Sequence, residues 1–292
     1  MAKNNSSKKR GRSPKQKYFQ LRGKAFEIVW KKWKEGSFGS LIDYEEAKNI
    51  LKVDPKSVRA IFRDISDISP EVAVVAEGVR VGRPTFYHSS CRTAGELKSV
   101  LFDKCVDLVP PAITLACGPG STVAYCVRHL VQAGRYHVIV TNNVGIIDQV
   151  GGSEINDLVF VGGEYNARIH GCVGNDAVKG FGKVTCQAAL VGISGINGNG
   201  DMFVRHSDEV PVVSKMVQTV SDYIFIIADI RKLIQVDTWK FIGIPQLFEE
   251  KPNRKIYLIT NSYESSEEKN RDRAKQVVEA LEKMGVKVEL AK

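Results

Sequence analysis

The run Thr114-Leu-Ala-Cys-Gly-Pro-Gly-Ser-Thr122 constrains the fold of this chain more than any other, because a helical apolar stripe follows it at once. Thr114 to Cys117 suits a buried strand, Gly118-Pro-Gly120 breaks it, and Val123, Ala124, Val127, Leu130 and Val131 then recur at helical spacing up to Gly134. The pattern reads as strand, tight loop and helix, with Ser121 as the N-cap and Gly134 as the C-terminal stop. Such a loop aims the unpaired N–H groups of Gly120, Ser121 and Thr122, two hydroxyls and the positive end of the helix dipole at one point beyond the strand. An anion such as a phosphate fits there. A plain strand-to-helix turn also needs only two glycines and a cap, so the loop by itself leaves both readings open.

From Pro110-Pro111 onward the chain alternates apolar runs with helical segments, which indicates a mostly parallel, Rossmann-like α/β domain over 111–292. The runs are His137 to Thr141, Leu158 to Val161, Ala188 to Ile193, Tyr223 to Ala228, Ile256 to Thr260 and Val286 to Leu290. Helices are expected from Asp176 to Gly182, from about Asp208 to Val220 and from Ser266 to Met284. Polar and glycine residues collect at the carboxyl ends of the strands: Gly118 and its loop, Thr141 with Asn142 and Asn143, Gly162 and Gly163, and Asp229 with Lys232. Each group alone is an ordinary turn or cap. Together they mark the end of an open parallel sheet where ligands bind.

Charge separates this half from the first. Residues 1–90 carry 19 Lys and Arg against 10 Asp and Glu, whereas the remaining 23 basic and 23 acidic residues cancel. The whole net charge of +9 therefore belongs to the N-terminal third, which calls for a polyanionic partner at that end. Residues 1–17 lack apolar periodicity and read as a disordered basic arm, either a solubilising tail or, on the sharper reading, one whose Lys9, Arg10 and Arg12 enter a DNA minor groove. Residues 18–88 read as three helices and a hairpin. Asp43 caps a short helix, Tyr44 to Leu51; Asp54 and Pro55 start the next. In that helix Val58, Ile61, Phe62 and Ile65 face inward and leave Lys56, Ser57, Arg59 and Arg63 outward, the layout of a recognition helix. Two β-runs, Glu71 to Ala76 and Val79 to Tyr87, carry Arg80 and Arg83 and complete a winged helix–turn–helix that binds double-stranded DNA. Residues 89–110 form a linker and a helix, Gly95 to Val109.

With these features in place, residues 38–290 resemble the DeoR family of bacterial transcription regulators. The matching stretches are Glu46-Ala-x-x-Ile-Leu-Lys-Val-Asp-Pro-Lys-Ser-Val-Arg59, Gly120-Ser-Thr122, Val140-Thr-Asn-Asn143, Val161-Gly-Gly163, Gly174-x-x-Ala177, Leu190-Val-Gly-Ile-Ser-Gly-Ile196 and Ala228-Asp-x-x-Lys232. The resemblance implies an effector domain similar in fold to ribose-5-phosphate isomerase, which binds phosphorylated sugars or related metabolites. It places a phosphate on Gly120, Ser121 and Thr122, with Thr141, Asn142, Asn143, Gly162, Gly163, Asp229 and Lys232 around the sugar. The chain departs from the family in its recognition helix, Ser57-Val-Arg-Ala-Ile-Phe62 in place of Thr-Ile-Arg-Arg-Asp-Leu. It also carries Val213 and Gln187 where the family has Lys and Asp.

The competing reading is a sugar-phosphate isomerase, because Gly118-Pro-Gly-Ser-Thr122 is closer to that enzyme's loop than to the family's. The isomerase's paired acids and its Lys-Gly-Gly-Gly stretch have no counterpart, so no catalytic residue is assigned. A DNA-associated protein with a degenerate pocket is the third reading. The six cysteines form no Cys-x-x-Cys pair and fall mostly in apolar runs, so neither a metal nor any other cofactor is expected. No stretch is long and apolar enough for a membrane span or a signal peptide, and a cytoplasmic protein is expected. Paired recognition helices require a two-fold assembly, a homodimer or homotetramer held by the α/β domain.

Overall fold

A computed structural model describes residues 14–35, 40–68, 72–81, 95–135, 137–150, 157–234, 237–263 and 268–291. Contacts divide the chain into two compact units, Met1–Thr85 and Phe86–Lys292. Lys9, Arg10, Arg12 and Arg83 lie outside the described residues, as does the first part of the expected linker.

The N-terminal unit runs α1 (Pro14–Lys34), β1 (Ser40–Asp43), α2 (Tyr44–Leu51), α3 (Pro55–Ile68), β2 (Val72–Val74) and β3 (Gly78–Val81). Helix α1 takes in residues 14–17, which the sequence pattern assigns to a disordered arm. Pro14 suits the first helical position, and Lys15, Gln16 and Lys17 are good helix formers, so propensity extends the helix where apolar periodicity is silent. Asp43 caps α2 by accepting from the N–H of Glu45 at 2.6 Å. Asp54 caps α3 by accepting from Lys56 N at 3.0 Å and Ser57 N at 3.1 Å. The α3 stripe Val58, Ile61, Phe62 and Ile65 is buried against Ala25 and Val29 of α1, Ala47 of α2 and Val72, Val79 and Val81 of the strands. The sheet has three antiparallel strands in the order β1-β3-β2 rather than a two-stranded hairpin. Strand β1 gives little signal in the sequence because Ser40-Leu-Ile-Asp43 is only four residues long, with one buried side chain, Ile42.

The second unit begins with α4 (Gly95–Leu108) and then β4 (Thr114–Cys117), α5 (Ser121–Gln132), β5 (Val138–Thr141), α6 (Val144–Val150) and β6 (Asp157–Phe160). A hairpin of β7 (Glu164–Asn166) and β8 (Gly171–Val173) leads into α7 (Gly174–Gly182) and β9 (Cys186–Gly192). There follow β10 (Gly195–Ile196), β11 (Asp201–Val204), α8 (Glu209–Thr219), β12 (Val220–Ile227) and a 3-10 turn, Ile230–Leu233. The chain closes with β13 (Trp239–Gly243), α9 (Ile244–Glu250), β14 (Lys255–Asn261), α10 (Glu268–Lys283) and β15 (Lys287–Ala291). Seven strands form one parallel sheet in the order β15-β14-β12-β9-β4-β5-β6.

Alternate residues of its strands enter two cores, as burial on both faces of a parallel sheet demands. Leu115, Ile139, Leu190 and Phe225 pack with α4, α5 and α6 on one face; Ala116, Val140, Val191 and Ile226 pack with α7, α8 and α10 on the other. The chain enters the sheet at β4, builds outward through β5 and β6, then returns to β9 on β4's other side and builds the opposite way. The β4/β9 boundary is therefore the topological switch point, and its carboxyl end is where loops part to leave a crevice.

Candidate functional site

The loop after β4 sits on that crevice. Gly118 N–H donates to Leu190 O of β9 at 3.0 Å, which fixes the loop over the β9 end. Gly120, not Ser121, is the N-cap of α5; its φ of 104° and ψ of 152° belong to a region open essentially to glycine alone. A Cβ at Gly120 would meet nothing within 4 Å, so its backbone conformation and not crowding calls for glycine. Ser121 instead starts the helix, buried, and gives no side-chain cap. Gly134 ends α5 as expected, at φ 71°, with Gly134 N–H on Val131 O and Arg135 N–H on Leu130 O, both at 3.0 Å. The first-turn N–H groups of α5 have no helical acceptor and so point out of the loop.

Three polar residues at the β5 end hold this loop from behind. Thr141, Asn142 and Asn143 are almost completely buried. Thr141 Oγ1 donates to Cys117 O at 2.7 Å. Asn143 Nδ2 donates to Gly118 O and Gly120 O, both at 3.0 Å, while its Oδ1 accepts from Gly145 N–H. With both loop carbonyls drawn inward, the loop's N–H groups face the opposite way. Asn142 Nδ2 reaches Cys172 O of β8 at 2.6 Å and its own carbonyl accepts from Cys172 N–H at 2.9 Å, tying the hairpin to the same end. The Oδ1 of Asn142 is buried without a partner among the described residues. Gly163 has an equally local reason: a Cβ there would stand 2.5 Å from Val173 O of β8 and 3.2 Å from Ala177 of α7, so only glycine lets the chain entering β7 close on both. Gly162 is exposed.

A second cluster lies after β11 and β12. Asp229 accepts from Arg231 through Nε at 2.7 Å and Nη2 at 3.1 Å and caps the 3-10 turn, so its carboxylate is already committed. Lys232, half-buried, follows it. Burial holds the Lys232 ammonium below its usual pKa; Asp229 offsets this, and Arg205 and Arg231 add to it. Arg205 pairs with Asp237 at 3.3 Å. Asn166 of the hairpin donates to Asp208 at 3.1 Å. Glu209, at the start of α8, is buried and accepts from His206 N–H; burial pushes its carboxyl up to about 7. Burial, and then Arg168 and Arg205, hold His206 below its usual value. Sequence reasoning missed Arg168, Arg205, His206 and Glu209. The polar run Arg205-His-Ser-Asp-Glu209 behind an apolar four-residue strand was the signal that could have found the last three.

In the N-terminal unit Lys56, Arg59, Arg63 and Arg80 are exposed. Arg59 lies over the Tyr44 ring at 4.7 Å, which joins α3 to α2 through a cation–π contact. Ser57 turns its hydroxyl back to the Asp54 carboxylate.

An open parallel sheet with a glycine-bearing strand-to-helix loop at its switch point defines the class of this α/β domain. Residues 94–249 match the DeoR C-terminal sensor domain, and the chain belongs to the DeoR family of transcriptional regulators. As a member of that family it is a transcriptional regulator. The glycerol-3-phosphate regulon repressor of Escherichia coli (strain K12) is 22% identical over 64% of this chain and 75% of its own. The HTH-type transcriptional repressor GlcR of Bacillus subtilis (strain 168) is 21% identical over 70% of this chain and 80% of its own. Among solved structures, ribose 5-phosphate isomerase A from Neisseria gonorrhoeae matches 48% of this chain and 54% of that one, at 18% identity and a TM-score of 0.37. The Pyrococcus horikoshii OT3 translation initiation factor eIF-2B matches 74% of this chain and 66% of that one, at 11% identity and a TM-score of 0.34. Neither structural likeness is close enough to bear on function. No described helix is long and apolar enough to cross a membrane, and the described residues contain no metal-binding cluster.

Proposed function

We propose that residues 18–88 are a winged helix–turn–helix that binds duplex DNA, and that the α/β domain, residues 111–292, controls it by binding a phosphorylated sugar or a close relative. The observation that carries this reading is the Gly118–Thr122 loop: Gly120 at positive φ, both loop carbonyls held by Asn143, and the first-turn N–H groups of α5 turned outward at the switch point. The name of the Escherichia coli relative, a glycerol-3-phosphate regulon repressor, supports a phosphorylated ligand. The DNA half rests on α3, capped at Asp54, with its apolar stripe buried and Lys56 and Arg63 exposed, as is Arg80 of β3. The basic excess confined to residues 1–90 supplies the long-range attraction to phosphate backbones. The protein acts in the cytoplasm as a homodimer or homotetramer, because half-sites are read in pairs.

A thermal-shift screen of phosphorylated sugars on the full chain tests the effector half. A ligand at about 100 times its dissociation constant adds about 2.7 kcal/mol of stability. The hit is then added to the chain on genomic DNA fragments; a change in DNA affinity is expected. A ligand that stabilises the protein and leaves DNA binding unchanged at saturation overturns the coupling. Specific retention of DNA by a chain lacking residues 1–90 overturns the assignment of the DNA half.

A further inference from the structure

The loop accounts for one anionic group, and a second cation site stands two strands away. Lys232 follows β12, which pairs with β9, which pairs with β4. The carboxyl ends of β4 and β12 are therefore about 10 Å apart, two strand spacings. Around Lys232 the negative charges are already taken. Asp229 is held through two nitrogens of Arg231, and Asp237 pairs with Arg205. Farther along, beside His206, Asp208 accepts from Asn166, and Glu209, which burial keeps readily protonated, accepts from the His206 N–H. The Lys232 ammonium has neither a hydrogen bond nor an ion pair among the described residues, although it is half-buried and lies within electrostatic reach of Asp229 and Asp237 as well as of Arg205 and Arg231. A half-buried cation without a hydrogen-bond partner is poorly hydrated, and because the carboxylates near it are already held by arginines, an added anion would compensate it. Arg168, on the hairpin side, is exposed and adds positive potential toward His206.

We infer that Lys232, backed by Arg205, binds a second acidic group of the effector, a carboxylate or a second phosphate, while the Gly118–Thr122 loop binds the first. This inference rests on the effector-site reading above and narrows it: the ligand is a sugar derivative charged at both ends, long enough to bridge β4 and β12. Sugar hydroxyls would not compensate the Lys232 charge. A second acid would.

Crystals of the full chain soaked in sodium selenate, with selenium located by its anomalous scattering, separate the two sites. The expected result is one selenate on the Gly120–Thr122 N–H groups and another on Lys232. Loss of the second in Lys232→Gln is expected, with the first retained. An empty Lys232 site in wild type overturns this inference and leaves the loop reading standing; an empty loop overturns the loop reading itself. Selenate that stays in place in a folded Lys232→Gln protein is an adventitious ion only, and also overturns the inference. Sugar compounds then identify the group. Displacement of the Lys232 selenate by a phosphorylated sugar acid marks a carboxylate, and displacement by a sugar bisphosphate marks a phosphate. Either ligand should bind Lys232→Gln about tenfold or more weakly, the loss expected for one charged hydrogen bond. Displacement of both selenates by a sugar monophosphate overturns the two-anion reading.

Discussion

Replacing Asn143 separates a residue that contacts the ligand from one that shapes the loop. Its side chain makes three hydrogen bonds: two donated to Gly118 O and Gly120 O, one accepted from Gly145 N–H, each at 3.0 Å. A net contribution of about 1 kcal/mol per bond puts the cost of Asn143→Ala near 3 kcal/mol, with more if the freed carbonyls find no water. At about 2–4 °C per kcal/mol for a unit of this size, the unfolding midpoint should fall by roughly 6–12 °C. Asn143→Asp is the sharper variant. It keeps the acceptor for Gly145 but turns a carboxylate, fully buried, toward two carbonyl oxygens, so it should be less stable than Asn143→Ala at neutral pH. Differential scanning calorimetry of the three full-length proteins gives the order, and the same samples with selenate report whether the loop still binds an anion. An Asn143→Asp protein as stable as wild type, or an Asn143→Ala protein with unaltered anion binding, refutes the clamp.

Gly120→Val should cost about 1–3 kcal/mol through its positive φ alone, since no atom stands in the way, and should abolish the anion's thermal shift. A folded Gly120→Val protein with the wild-type shift sinks the loop assignment. For Glu209 the folded pKa is raised from 4.5 to about 7, so its contribution to stability is complete below pH 4.5 and lost as pH rises through 7. That amounts to about 3 kcal/mol, and Glu209→Gln should flatten this part of the stability profile in urea titrations at pH 5 and pH 8; an unchanged profile counts against it. In DNA titrations over a range of salt, Lys56→Ala or Arg63→Ala should reduce the slope of log K against log salt by about 0.9 for each phosphate no longer neutralised. Arg59→Lys should weaken binding beyond its unchanged charge, because the stacking on Tyr44 that orients the guanidinium would go; equal affinity and slope would show that the stacking is irrelevant.

Legibility from sequence followed element length and the range of each interaction. The helices α2 and α3 were readable because their caps, Asp43 and Asp54, lie within three residues of the N–H groups they serve. Strands buried on both faces, such as β9 and β12, announced themselves as apolar runs. The small sheet of β10, β11 and β13 did not, since its strands are two to five residues long and β11 pairs with β13 across more than thirty residues of chain. At the candidate site, sequence placed the polar residues at the strand ends but not their partners. Asn143 looks like a turn former; that its amide spans two carbonyls 23 and 25 residues away is a tertiary fact. Asp229 looks open to a ligand until Arg231, two residues on, folds back over it.

The pinned loop also limits how a signal can leave the pocket. With both carbonyls tied to Asn143 and Gly118 tied to β9, the loop proposed to bind the anion is pinned in one arrangement, and a ligand that met it there would find it already formed. A ligand shifts an equilibrium only by its differential affinity for two states, and a cradle alike in both states contributes affinity but no preference. Any preference must come from contacts that can be exchanged, and the exposed pairs Asn166–Asp208 and Arg205–Asp237 are of that kind. Variants of those pairs would then change how strongly DNA affinity responds to ligand, whereas variants of the loop would change only how much ligand is needed.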